Sequence, residues 1–127
     1  MNDYHCVDNF SPQKSVEEHT FSTEWFESCV PMLRGTVFMV THHAPSPQSI
    51  QGRYLASVPM YSSDMEAFIR KHPNIKYWAH GHCHHTSDYM VEQCRVISNP
   101  RGYVGMEVNP TFNPDFSVDV IPDPITV

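Results

Sequence analysis

Ile75-Lys76-Tyr77-Trp78-Ala79-His80-Gly81-His82-Cys83-His84-His85 is the stretch whose reading decides the fold of this chain. Apart from Lys76, its first five residues are apolar or aromatic and have the length of a strand, and a histidine cluster follows at once. A second stretch is built the same way. Thr36-Val37-Phe38-Met39-Val40 is a continuous β-rich run, and Thr41-His42-His43-Ala44-Pro45-Ser46 follows it. Such runs suit strands covered on both faces. Six of the nine histidines lie in these two clusters. Neutral imidazole is the commonest metal ligand among side chains. Along extended backbone, side chains two apart share a face, so His82 and His84 are expected to face one site while Cys83 points away. Gly81 permits a sharp bend or a close approach just before them. The two stretches together predict a metal site at strand ends.

Between and around these runs the pattern is strand, loop, helix, strand, which predicts an α/β domain. The sequence predicts one mixed sheet with two helices and a C-terminal hairpin. Residues 1 to 18 are polar, contain Pro12 and read as an irregular lead-in. A short helix is expected from Ser22 to Leu33, capped by Ser22 or Thr23, with Glu24 in its first turn and Phe21, Trp25, Cys29 and Met32 near helical spacing. Pro31 and Gly35 end it. Residues 44 to 59, with Pro45, Pro47, Gly52 and Pro59, read as a loop. Ser63-Asp64-Met65-Glu66 spells a capping box for a second helix running to about Lys71, which Pro73 stops. Asp88 to Val91 and Cys94 to Ser98 read as a hairpin turning at Glu92-Gln93. Asn99-Pro100-Arg101-Gly102-Tyr103 reads as a turn, and Phe116 to Ile121 as a last strand.

Composition bounds the function. A length of 127 residues is one domain by the usual prior, taken here as 1–127. Leu, Ile, Val and Phe number only 28 of 127, and eleven prolines face five glycines, so the domain is expected to be ordered but loop-rich. The net charge is −6 and the eight basic residues form no stripe, which argues against a nucleic-acid backbone as partner. A small phosphate ester is not excluded, because one dication would reverse the local sign. No apolar run approaches the roughly 20 residues of a membrane span. The opening residues carry no signal-peptide pattern. Cys6, Cys29, Cys83 and Cys94 have no paired spacing. The chain is read as cytoplasmic with reduced thiols that pack as small apolar groups.

The strand-His-His-Ala-Pro segment, Gly81-His82-Cys83-His84 and the Asn99-Pro100-Arg101-Gly102-Tyr103 turn together resemble the C-terminal half of a calcineurin-like metallophosphoesterase. The similarity is greatest to small bacterial and phage phosphohydrolases, and runs from about Met1 to Ile121. The resemblance implies half of a four-layer αββα sandwich, and phosphate-ester hydrolysis by metal-bound hydroxide. It implies that His42 and His82 bind one divalent ion, His84 another, and that His43 and Arg101 contact phosphate. The ion would be Mn, Fe or Zn. The family's D-x-H, G-D-x-x-D and G-N-H-[DE] motifs have no counterpart in context, although Asp3-Tyr4-His5 spells the first.

Two dications about 3.5 Å apart repel by roughly 19 kcal/mol at an effective dielectric of about 20. Three neutral imidazoles do not offset that, so one ion is expected rather than two. Activity is expected to be weak unless another chain or a second copy supplies the missing ligands. The alternative is an inactive remnant that binds metal or a phosphorylated ligand and acts as an interaction module. A sheet face left bare by the absent half predicts a homodimer or a complementing N-terminal half. Asp88 either orients a histidine through its second nitrogen or merely starts a strand. Arg101 either clamps phosphate or is a surface residue of a turn. His43, His80 and His85 are open between support, substrate contact and solvent, whereas His5, His19 and His72 read as ordinary surface or core residues.

Overall fold

The apolar runs do pair as strands. The structure, a computed structural model, describes residues 7–51 and 61–122. Cys6, Asp3-Tyr4-His5, Gly52 and Pro59 lie outside the described residues. The chain divides into two units, Met1–Leu33 and Arg34–Val127. The architecture is mixed α/β: among the described residues, two helices, one mixed sheet of four strands and a small antiparallel pair.

The sheet belongs to the second unit. Its strands are β1 (Val37–Val40), β2 (Ile75–Ala79), β3 (Ser87–Val91) and β4 (Cys94–Ser98), in the order β1-β2-β4-β3. β1, β2 and β4 run parallel, and β3 returns antiparallel on β4. The predicted hairpin is present, with Glu92 of its turn at φ 51. Met39, Trp78, Val96 and Tyr89 stand in register across the four strands. This row forms the covered face, where Trp78 and Val96 are fully buried. Burying an indole removes some 150–250 Å² from water, on the order of 4–6 kcal/mol as an upper bound. The adjacent row, Phe38, Tyr77, Arg95 and Met90, points to the opposite face by alternation. Phe38 and Met90 are exposed, as is Val40 one row on. β1 is therefore covered on one face and not on both, as its continuous apolar run had suggested.

The second helix, Glu66–Lys71, lays Phe68 edge-on to Trp78 with ring centroids 6.5 Å apart. It is shorter than the capping box implies. Glu66 does not reach back to Ser63. Its carboxylate accepts from Ser46 Oγ (2.7 Å), Gln48 Nε2 (2.9 Å) and Arg70 Nη2 (2.7 Å), so the helix starts at Glu66 without a side-chain cap. Past β4 the chain forms a two-stranded hairpin, β5 (Gly102–Tyr103) and β6 (Glu107–Val108). Residues 116 to 121 form no strand. Tyr77 on the open sheet face donates its hydroxyl to Asp119 O (3.2 Å) and accepts from the Ile121 N–H (3.3 Å), which fixes the segment as irregular chain.

The first unit is a helix from Pro12 to Cys29, labelled α1, followed by a 3-10 turn at Val30–Met32. It begins ten residues before the predicted start. Ser11 caps it by accepting from the Lys14 N–H, and Pro12 sits at the first helical position, where its fixed φ and missing donor are tolerated. Thr20, Ser22, Thr23 and Ser28 donate to carbonyls three or four residues back, which is how hydroxyl side chains are accommodated within it. None of its residues is buried, and Phe21 and Trp25 are exposed. No helix among the described residues is long and apolar enough to cross a membrane.

Candidate functional site

The parallel ladder of β1 and β2 continues past both strand ends. Thr41 N–H donates to Ala79 O (3.0 Å), and Gly81 N–H donates to His42 O (3.0 Å). These bonds bring the two histidine clusters side by side at the carboxyl ends of parallel strands, where open α/β sheets usually bind ligands. The rings of His42, His43 and His82 form one group. Their centroid separations are 5.5 Å for His42–His43, 4.9 Å for His42–His82 and 4.6 Å for His43–His82. Tyr61 stacks on His82 at 4.9 Å. His42 is exposed, and His43 and His82 are half-buried, so the group lies open to solvent on one side.

His82 gets there by a route that alternation does not allow for. It has φ 59, the left-handed region, which histidine enters more readily than most residues but still at a cost. The extended run breaks at that residue, and Gly81, where a bend was expected, has no positive φ. An added Cβ on Gly81 would meet His42 Nδ1 at an ordinary 3.5 Å. His82 therefore joins His42 and His43, while His84 turns elsewhere. The His84 ring meets Tyr103 edge-on at 4.6 Å, and its Nδ1 lies 3.3 Å from Glu107 Oε2. Both partners belong to the β5–β6 hairpin. Arg101 is exposed just before β5, in a turn tied down by Asn109, whose amide N–H₂ donates to Pro100 O (2.8 Å) and whose backbone N–H donates to Arg101 O (3.1 Å).

The loop after β1 is held by buried polar contacts. Trp78 Nε1–H donates to Thr41 Oγ1 (2.8 Å), and the Thr41 hydroxyl donates to His43 O (2.7 Å), so the core indole positions the first histidine pair. Further on, Ser46 and Ser49 are fully buried. His80 Nδ1–H donates to Gly81 O (3.0 Å), and a carbonyl can only accept, so His80 Nε2 is the acceptor. Ser49 Oγ–H then donates to His80 Nε2 (2.8 Å), and Tyr89 O–H donates to Ser49 Oγ (2.7 Å). Burial holds the His80 pKa below 6.5 and pushes the Tyr89 phenol up, which keeps both groups neutral at neutral pH. His85 Nε2–H donates to the Ser49 carbonyl. His80 and His85 are thus supports that tie one histidine loop to the other.

Cys83 packs with Ala44 and Ile50 beneath Tyr61, and burial pushes its thiol up to about 11. The Cys94 thiol is pushed up to about 12 for the same reason. Cys29, Cys83 and Cys94 are free thiols. Asp88 is the second residue of β3 and accepts two bonds from Arg95 (2.8 and 2.7 Å), so it orients no histidine; Glu107, which sequence reasoning missed, holds that place. Its only sequence signal is its position five residues after the Gly102 of the turn, inside a hairpin too short to show alternation.

A tetrahedral ion bound at about 2.0–2.1 Å by three ring nitrogens would set imidazole centroids roughly 5 Å apart. The spacing of His42, His43 and His82 meets that requirement. Donor placement does not: among the described residues no three His, Cys, Asp or Glu side chains are arranged to hold a metal ion. The residues fit the ring spacing of a single-ion site, with imidazole rotation still required to gather the nitrogens.

No family model matches the chain. No solved structure matches it. The chain is similar to the uncharacterized protein L509 of Acanthamoeba polyphaga mimivirus, 28% identical over 137 aligned positions that cover 94% of this chain and 48% of that protein. The chain spans about half the length of this curated relative.

Proposed function

We propose that this chain is the histidine-bearing half of a metal-dependent phosphoesterase. One observation carries the reading: three imidazoles, His42, His43 and His82, lie with centroids 4.6–5.5 Å apart at the carboxyl ends of two parallel strands. A bound divalent ion would supply an activated water and charge for the phosphoryl oxygens. His42 and His82 would hold it, with His43 (by ring rotation) or His84 as the third ligand. The chain's own groups do the rest. Ring N–H of His43 and the Arg101 guanidinium donate to phosphoryl oxygens, where oriented donors favour developing negative charge. Trp78 and Thr41 keep His43 in place for that role.

The four-layer sandwich belongs to the same reading. Phe38, Val40 and Met90 lie on the sheet face that a complementing half or a second copy would cover. The second reading is a metal- or phosphate-binding remnant without turnover.

Metal titration of untagged protein with manganese or zinc tests the first reading. One bound ion per chain is expected, with loss of binding in His42→Ala with His82→Ala. Hydrolysis of an aryl phosphate in the same preparation separates enzyme from remnant. Retention of the full metal content by the double variant would overturn the site itself.

A further inference from the structure

We propose that Glu107 is a positioning residue for His84: it holds the imidazole in the tautomer with hydrogen on Nδ1, so that Nε2 is the basic nitrogen of that ring. The tautomer follows from the donor inventory. An ionised carboxylate only accepts, so the 3.3 Å contact between His84 Nδ1 and Glu107 Oε2 requires the hydrogen on Nδ1. The partner of one ring nitrogen decides the role of the other. Tyr103, edge-on to the same ring at 4.6 Å, limits its rotation. The pair is partly shielded, with His84 and Glu107 side chains 20% and 31% exposed, so the ring keeps a defined partner instead of exchanging freely with water.

The hairpin is built to deliver this carboxylate. Gly102 has φ 78, and a Cβ there would lie 2.2 Å from Glu107 O and 3.1 Å from Asn109 N. Only glycine lets β6 approach β5 closely enough to place Glu107 beside His84. Asn109, buried, ties the base of the hairpin to Pro100 O and to Thr86 Oγ1 (3.0 Å), two residues beyond His84. The loop that carries the histidine and the hairpin that carries the carboxylate are therefore pinned together independently of the pair itself.

The same loop contains an internal reference. His85 donates from Nε2 to the Ser49 carbonyl and so carries the opposite tautomer. Long-range proton–nitrogen correlation spectra, recorded where the imidazoles are neutral, read the two side by side. In the parent chain His84 is expected to show the Nδ1–H pattern and His85 the Nε2–H pattern. In Glu107→Ala, His84 changes pattern while His85 keeps its own, which certifies the fold. Glu107→Gln, whose side-chain oxygen still accepts, retains the parent pattern. Gly102→Ala reproduces Glu107→Ala by withdrawing the hairpin. An unchanged Nδ1–H pattern in Glu107→Ala overturns the inference.

The value of a presented Nε2 rests on the phosphoesterase reading, and metal binding separates the two. If that reading holds, Glu107→Ala weakens manganese or zinc binding by about 10- to 100-fold, as loss of an outer carboxylate does at other sites. A parent chain that takes up no metal breaks the functional reading and leaves the tautomer assignment standing. A metal-binding chain whose affinity and His84 pattern ignore Glu107 breaks this inference alone.

Discussion

The two walls of the histidine site are built in opposite ways. The described part of the loop after β1 is anchored in the protein, with Ala44, Ser46, Ser49 and Ile50 buried and Thr41, Ser46 and Ser49 tied by polar contacts to Trp78, Glu66, His80 and Tyr89. The β5–β6 hairpin stands out from it, held at its base by Gly102 and Asn109, with Val104 70% and Met106 87% exposed at its tip. The first wall fixes His42 and His43 through the core, so their geometry is as stable as the fold. The second fixes His84 through local contacts outside the four-stranded sheet, and is expected to open without unfolding it. Precision at one wall and adjustability at the other follow from where the backbone hydrogen bonds go.

The sharpest way to break this contrast is at the core. Trp78→Ala removes the central aromatic and the donor to Thr41, and is expected to cost about 3–5 kcal/mol in denaturant unfolding. Such a loss would accompany loosened amide exchange at His42 and His43. A variant that unfolds like the parent would mean that the loop does not depend on the indole. Ser49→Ala comes next, at about 1–3 kcal/mol, because it strips buried partners from His80 and Tyr89. Amide protection should fall in both histidine loops and stay unchanged in the β5–β6 hairpin.

Gly102→Ala tests the other wall. A residue forced to positive φ costs about 1–2 kcal/mol, and the clash with Glu107 O adds to it locally. Proteolysis or amide exchange confined to residues around 102–108, with the denaturation midpoint nearly held, is the expected outcome. A global loss equal to that of Trp78→Ala would show that the hairpin belongs to the core after all.

The smallest effect is one of pH. Hydrogen bonds from Gln48 and Ser46, with Arg70 beside them, hold the Glu66 carboxyl below its usual 4.5. A carboxyl lowered in the folded state stabilises fully above the unfolded value and loses that contribution as pH falls through the folded one. The thermal midpoint of the parent should therefore exceed that of Glu66→Gln above about pH 5, and the gap should close on acidification below about 4.5. A gap that is flat down to strong acid would remove Glu66 from the anchoring of the first wall.

How much of this is legible in the sequence differs element by element. β1, β2 and the β3–β4 hairpin are, because apolar runs of strand length bounded by turns leave few alternatives. Of α1 only the second half, from Ser22 to Cys29, is; its first ten residues bury nothing, and their signal, Ser11 before Pro12, reads equally as loop. The Ser63 capping box misleads because Glu66 finds better partners twenty and eighteen residues upstream, in Ser46 and Gln48. The meeting of the two histidine clusters is legible from strand ends. The grouping of His82 with His43 is not, since it depends on one left-handed residue. Nor is Glu107, since two-residue strands carry no period.

The burial of Trp78 has a spectroscopic corollary. The chain has two tryptophans, one in each unit: Trp78 is 1% exposed and Trp25 56%. Their emission therefore separates by colour and by collisional access. A polar quencher such as iodide reaches the red-emitting indole of α1 and leaves the blue-emitting indole of the sheet dark to it. Melting followed in the two bands reports the helix and the histidine-bearing sheet as independent signals from one unlabelled sample.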